Sequence, residues 1–159
     1  MKSKYQNITQ DRMRYALAFF VSEVLAKVCH EEHENHPLYS FLEKQLNHLD
    51  ASETQLGLFH LTFLVELSSF LGFRPSLPWR PVAYFDMMEG TFETSKPLHA
   101  HYLSEVETNL LCELLKGNKP NTVDKDIRLS LLDKLLEYYK IQLDGFGDVK
   151  SLEIIKVLF

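Results

Sequence analysis

Two stretches of this chain are apolar on nearly every side of a helix, and they leave it few ways to fold. QDRMRYALAFFVSEVLAKVC runs from Gln10 to Cys29, with Arg12, Arg14, Ser22, Glu23 and Lys27 as its only clear wet positions. LGLFHLTFLVELSSFL runs from Leu56 to Leu71 and carries one ionisable histidine and one glutamate. A helix that is hydrophobic all round must be buried among other helices. The pattern therefore predicts an all-α chain, a compact bundle of about six helices around these two. Thr9 is the expected N-cap of the first helix; Ser52 is that of the third, which Gly72 stops.

The rest of the sequence supplies what such a bundle needs. Pro37 disfavours helical geometry at His36 and suits the first turn of a second helix, Pro37 to about Asp50, where Leu38, Phe41, Leu42, Leu46 and Leu49 follow helical spacing. Between Gly72 and Leu103 four prolines break the pattern, and YFDMMEGTFE predicts a small β-hairpin excursion around residues 83–94. Ser104 with Glu107 forms a capping box for a helix to Lys116. Asp124 to Leu143 is amphipathic, with Ile127, Leu131, Leu135, Tyr138 and Tyr139 inward. The last segment stays apolar to Phe159, which predicts a docked end. At 159 residues the chain is the size of one domain.

Composition removes several functions. A formal charge of −5 denies the chain the broad positive field of a nonspecific nucleic-acid binder, so any DNA contact must be local. Cys29 and Cys112 sit in apolar, helix-like surroundings and read as two buried thiols in a reducing compartment. With no signal-like leader and no apolar run of about 18 residues, the expected location is cytoplasmic, with no membrane partner. There is no G-x-S-x-G, G-x-G-x-x-G or P-loop. CHEEHENHP, residues 29–37, packs three histidines, a cysteine and three glutamates together. His30 and His33 are three apart, whereas the zincin pattern needs four, and no third ligand is indicated. The stretch weighs as a solvated helix end, and the alternative, a metal-dependent enzyme using His30 and His33, stays open. The basic residues gather in two places, Lys2, Lys4, Arg12 and Arg14, and the run Lys116, Lys119, Lys125 and Arg128.

Read as a series, AFFVSEVLAKVCHEEHENHPLYSFLEKQL, LFHLTFLVELSSFLGFRPSL, YFDMMEGTF and YYKIQLDGFGDVKSLEIIKVLF resemble the C-terminal domain of RecO, the bacterial recombinational-repair mediator. Leu71-Gly72-Phe73 with Pro75, Phe85-Asp86, Gly90 and Lys150-Ser151-Leu152 carry the likeness by their order and spacing. Two departures stand out. Many members bind zinc through two cysteine pairs around the excursion, but residues 72–103 hold no cysteine, so packing of Trp79, Tyr84, Phe85 and Phe92 is expected instead of a metal. The family's N-terminal oligonucleotide-binding barrel is also missing, so residues 1–9 are expected as a linker from it and 10–159 as the helical domain.

The resemblance implies a non-enzymatic mediator of DNA repair and homologous recombination, without cofactor. Acting with RecR, it would help load recombinase on strands coated by single-stranded-DNA-binding protein, and support annealing. Implied partners are the acidic, phenylalanine-ended tail of that protein, RecR, and single- and double-stranded DNA, the last weakly. Phe59 and Phe63, one turn apart, with Phe41, His60 and Arg74, are the expected tail site. Lys2, Lys4, Arg12 and Arg14 are the expected DNA contacts. A helical adaptor unrelated to repair is the remaining alternative.

Overall fold

The computed structural model describes residues 4–29, 34–52 and 56–159. Among them are seven α-helices, one 3-10 turn and three short strands, so the chain is mainly helical. Its contacts fall into two units, Met1–Phe63 with Asp148–Phe159, and Leu64–Gly147.

In the first unit α1 (Asn7–Gln10) is a single turn whose Asn7 and Ile8 N–H groups donate to Asp50 Oδ1 at 2.9 and 2.8 Å. It rests on α2 (Arg12–Val28) and α3 (His36–Ala51). The cap expected at Thr9 is corrected: Thr9 belongs to α1, and Asp11 opens α2 by accepting from Met13 N at 2.8 Å. A carboxylate at that position also complements the positive end of the helix dipole, which a threonine cannot do. α3 begins one residue earlier than expected, at His36, because Asn35 Oδ1 accepts from Leu38 N at 3.1 Å and places Pro37 inside the first turn. Ser52 closes α3, donating its N–H to His48 O at 2.9 Å, and residues 53–55, into which its expected cap of the next helix would reach, lie outside the described residues. That helix, α4 (Phe59–Leu71), follows the 3-10 turn Leu56–Leu58.

Leu17, Phe20 and Val24 of α2 are fully buried, as an all-apolar helix demands. α7 (Leu152–Leu158) lies against α2. Its entry is held by Glu23, which accepts from the N–H groups of Lys150 and Ser151, both at 2.8 Å. Ser151 makes no side-chain cap of its own, so a carboxylate from another helix takes that place. Phe159 is buried, as the apolar tail predicted.

The second unit begins inside α4. That helix ends in a Schellman turn, with Gly72 at φ +88° and Phe73 N bonded to Ser68 O at 3.1 Å. The predicted hairpin is present as β1 (Tyr84–Asp86) and β2 (Thr91–Glu93), with Phe85 opposite Phe92. It is larger than expected. β3 (Tyr102–Leu103) pairs antiparallel with the other edge of β1, giving the order β2-β1-β3. α5 (Glu105–Leu115) opens with the predicted box: Ser104 N donates to Glu107 Oε2 at 2.8 Å, and Glu107 N to Ser104 Oγ at 3.3 Å. α6 (Lys125–Gln142), capped by Asp124, carries Tyr138 and Tyr139, whose hydroxyls donate to Phe73 O and Leu64 O at 2.6 Å each. Burial pushes the Tyr138 phenol up to about 12, so it remains a donor at any ordinary pH.

Candidate functional site

α3 and α4 bring three phenylalanines into one stack. The rings of Phe59 and Phe63 are nearly parallel, 6.5 Å between centroids, and Phe41 stacks on Phe63 at 6.0 Å. Phe59 and Phe63 meet because they are four apart on a helix, as their spacing predicted. Both lie deep, as an all-apolar helix demands: Phe63 has no exposed surface and Phe59 is 7% exposed, while Phe41 is half-buried. His60 is equally buried, with its ring 6.4 Å from Phe20 and 5.6 Å from Phe159. It presents no face to solvent. Lys44 is exposed three residues beyond Phe41 on α3, with no carboxylate in ion-pair range among the described residues. Arg74 lies in the second unit and donates to Leu115 O at 3.1 Å.

The N-terminal cations are mostly engaged. Lys4 forms an ion pair with Glu43. Arg14 donates to Ser52 O and has its Nε 3.9 Å from Asp11. Arg12 is exposed and lines a groove of about 570 Å³ between α2 and α7, whose apolar walls include Tyr15, Phe19, Ile154 and Val157. Lys2, His30 and His33 lie outside the described residues. Of the histidine-rich stretch, His36 is described, exposed and 3.4 Å from Glu34. Among the described residues no three His, Cys, Asp or Glu side chains gather to hold a metal.

The cysteines correct the sequence reading in part. Cys29 is exposed at the end of α2 and Cys112 is half-buried. Partial burial still pushes both thiols up, which makes them poor nucleophiles. No described helix is long and apolar enough to cross a membrane.

A family model described as recombination protein O, C-terminal, matches residues 9–153. The chain belongs to that family. It is 34% identical to a DNA repair protein RecO of Bacteroides fragilis over 99% of this chain and 67% of the relative. Proteins of the same name from Flavobacterium psychrophilum and Flavobacterium johnsoniae are 37% and 38% identical, each over 98% of this chain and 66% and 65% of their own length. The chain thus spans about two thirds of the curated relatives it matches. No solved structure matches it.

Within this RecO C-terminal chain the cysteine-free excursion is held by side chains, though not the four expected. Phe85 is buried and its ring lies 4.9 Å from Phe92 and 5.3 Å from Tyr138, while Tyr84 packs edge-on to Tyr102. Trp79 takes no part, being 91% exposed. The sequence reading also passed over two acid-histidine pairs in this unit. His99 Nε2 lies 2.9 Å from Asp86 Oδ2, and His101 Nδ1 lies 2.6 Å from Glu137 Oε1. His101 N donates to His99 Nδ1 at 3.0 Å, which leaves Nε2 as the nitrogen that carries a proton toward Asp86. Both pairs tie the strand β3 region to its neighbours, and nothing in the residue spacing announced them.

Proposed function

We propose that this chain is a protein-interaction domain of a DNA-repair and recombination mediator, working without catalysis in the cytoplasm beside the chromosome. Its membership in the recombination protein O family across residues 9–153 is the observation that carries this reading. The relatives named DNA repair protein RecO supply the process. Loading of recombinase on strands covered by single-stranded-DNA-binding protein, contact with RecR, and strand annealing are the activities we assign to the whole mediator. To this chain we assign the capture of an acidic tail that ends in phenylalanine.

Such a tail needs an apolar seat for its ring and a cation for its carboxylates. Phe41 is the reachable ring of the α3–α4 stack, with Phe63 stacked behind it and Phe59 behind Phe63, while His60 packs on Phe20 and Phe159. Lys44, one turn along the same helix, is the exposed cation beside it. A fluorescent acidic peptide ending in Phe, titrated against the chain, should bind with a dissociation constant below about 100 μM. Phe41→Ala and Lys44→Ala should each weaken it roughly tenfold, on the usual worth of an interface anchor. Absence of binding at that concentration would remove the tail assignment, and undiminished binding by both variants would remove the site.

A further inference from the structure

Two helices of the first unit leave an apolar face uncovered. α7 starts beside Glu23, which holds the N–H groups of Lys150 and Ser151, and its Val157 and Leu158 share one groove with Arg12. It therefore runs back along α2, antiparallel to it. Tyr15 and Phe19 on α2, and Ile154 and Val157 on α7, are each one turn apart on their helix and wall this groove of about 570 Å³. All four are exposed, Tyr15 at 62% and Val157 at 78%. A lone apolar side chain on a surface needs no account, but four large ones that meet across a groove form the kind of patch that marks a protein interface.

The charges say what fits it. Arg12, in the first turn of α2, stands at the end where α7 finishes, and Glu153, in the first turn of α7, stands at the end where α7 begins. Neither has an opposite charge in ion-pair range among the described residues. An apolar strip with a cation at one end and a carboxylate at the other is complementary to itself turned end for end. Apolar surface then meets apolar surface, and each Arg12 meets the Glu153 of the other copy. A wholly acidic or wholly basic partner would satisfy one end and be repelled at the other.

We propose that the α2–α7 groove is a self-association face, on which a second copy of this chain docks about a two-fold axis. Phe19 and Val157 of each copy enter the groove of the other, and two Arg12–Glu153 ion pairs fix the antiparallel direction. Such a contact uses the same patch on both copies, so it closes at two. It goes beyond the mediator reading and shares no residue with the tail site on α3, so either can fail without the other.

Sedimentation equilibrium of the chain from about 1 to 200 μM should show monomer passing to dimer, with a dissociation constant of about 1–100 μM, the weak end expected of a small interface. Val157→Glu, with unchanged helicity by circular dichroism, should abolish the dimer. Arg12→Glu and Glu153→Arg each set like charges together twice and should weaken self-association by about tenfold or more. Mixed in equal amounts, these two variants should recover it, because one then presents two acids to the two cations of the other. A chain that stays monomeric across that range overturns the proposal. So does a dimer that Val157→Glu leaves intact, or a mixture that associates no better than either variant alone. If the chain is monomeric and the acidic peptide shifts the ring signals of Tyr15 and Phe19 by nuclear magnetic resonance, the groove belongs to that partner and the second copy is excluded.

Discussion

Asp86 closes β1 almost out of water, 7% exposed, and its carboxylate is surrounded by donors. Burial pushes its pKa up, but the N–H of Glu89 at 3.1 Å, the His99 ring at 2.9 Å and the N–H of Met88 at 2.9 Å together outweigh it and hold the group below the ordinary carboxylate range. A folded value below the unfolded one stabilises the fold above about pH 4, and that stability is lost as pH falls through the folded value. Asp86→Ala leaves the turn donors without their acceptor and should cost about 1–3 kcal/mol at pH 7. It should also lessen the loss of stability on acidification. Urea unfolding at pH 7 and at about pH 3, inside the window where the contribution is lost, measures both, and an unchanged midpoint at pH 7 would refute the role. Single residues were legible in the sequence where chemistry is local, as with the Phe59 and Phe63 spacing. Depth was not. Whether Trp79 faces water depends on what other segments cover it, so it was expected in a packing role the fold does not give it.

Elements were the more legible scale, for a physical reason. The capping box of α5, the Asp124 cap of α6 and the glycine stop of α4 are short-range signals, complete within a few residues. β3 is two residues long and exists because Met87 N donates to His101 O at 3.0 Å and Leu103 aligns with Phe85, which no periodicity encodes. The clasp on α7 is equally hidden, since Glu23 and Ser151 are 128 residues apart. Burial raises the Glu23 pKa, yet the Ser151 and Lys150 donors, with Lys27 nearby, bring it below the usual value. Its contribution is present above the ordinary glutamate pKa of about 4.3 and fades as pH drops through the folded one. Glu23→Ala removes two charge-assisted hydrogen bonds. Amide exchange in α7 should quicken by roughly tenfold or more, about 1.5 kcal/mol or greater, while α5 and α6 stay protected. Exchange that is unchanged in α7 would show that apolar contact alone holds it.

At the scale of the molecule, charge and topology carry the consequences. With net charge −5 and only local clusters of cations, single-strand affinity should be weaker than about 1 μM at physiological salt. Four phosphate contacts at most, as expected of Lys2, Lys4, Arg12 and Arg14, imply a log–log salt slope no steeper than about −3, at 0.7 per contact. Nanomolar binding at physiological salt, or a slope near zero, would contradict the local patch. The division of the chain has a different outcome. The first unit joins residues 1–63 to 148–159, and the second occupies everything between. A ribosome therefore delivers most of the first unit early and then makes 84 residues of the second before α7 exists, counting Leu64 to Gly147. Until residues 148–159 emerge, α2 waits with the face that receives α7 uncovered, so the segments of this unit that are made first are the last to be finished.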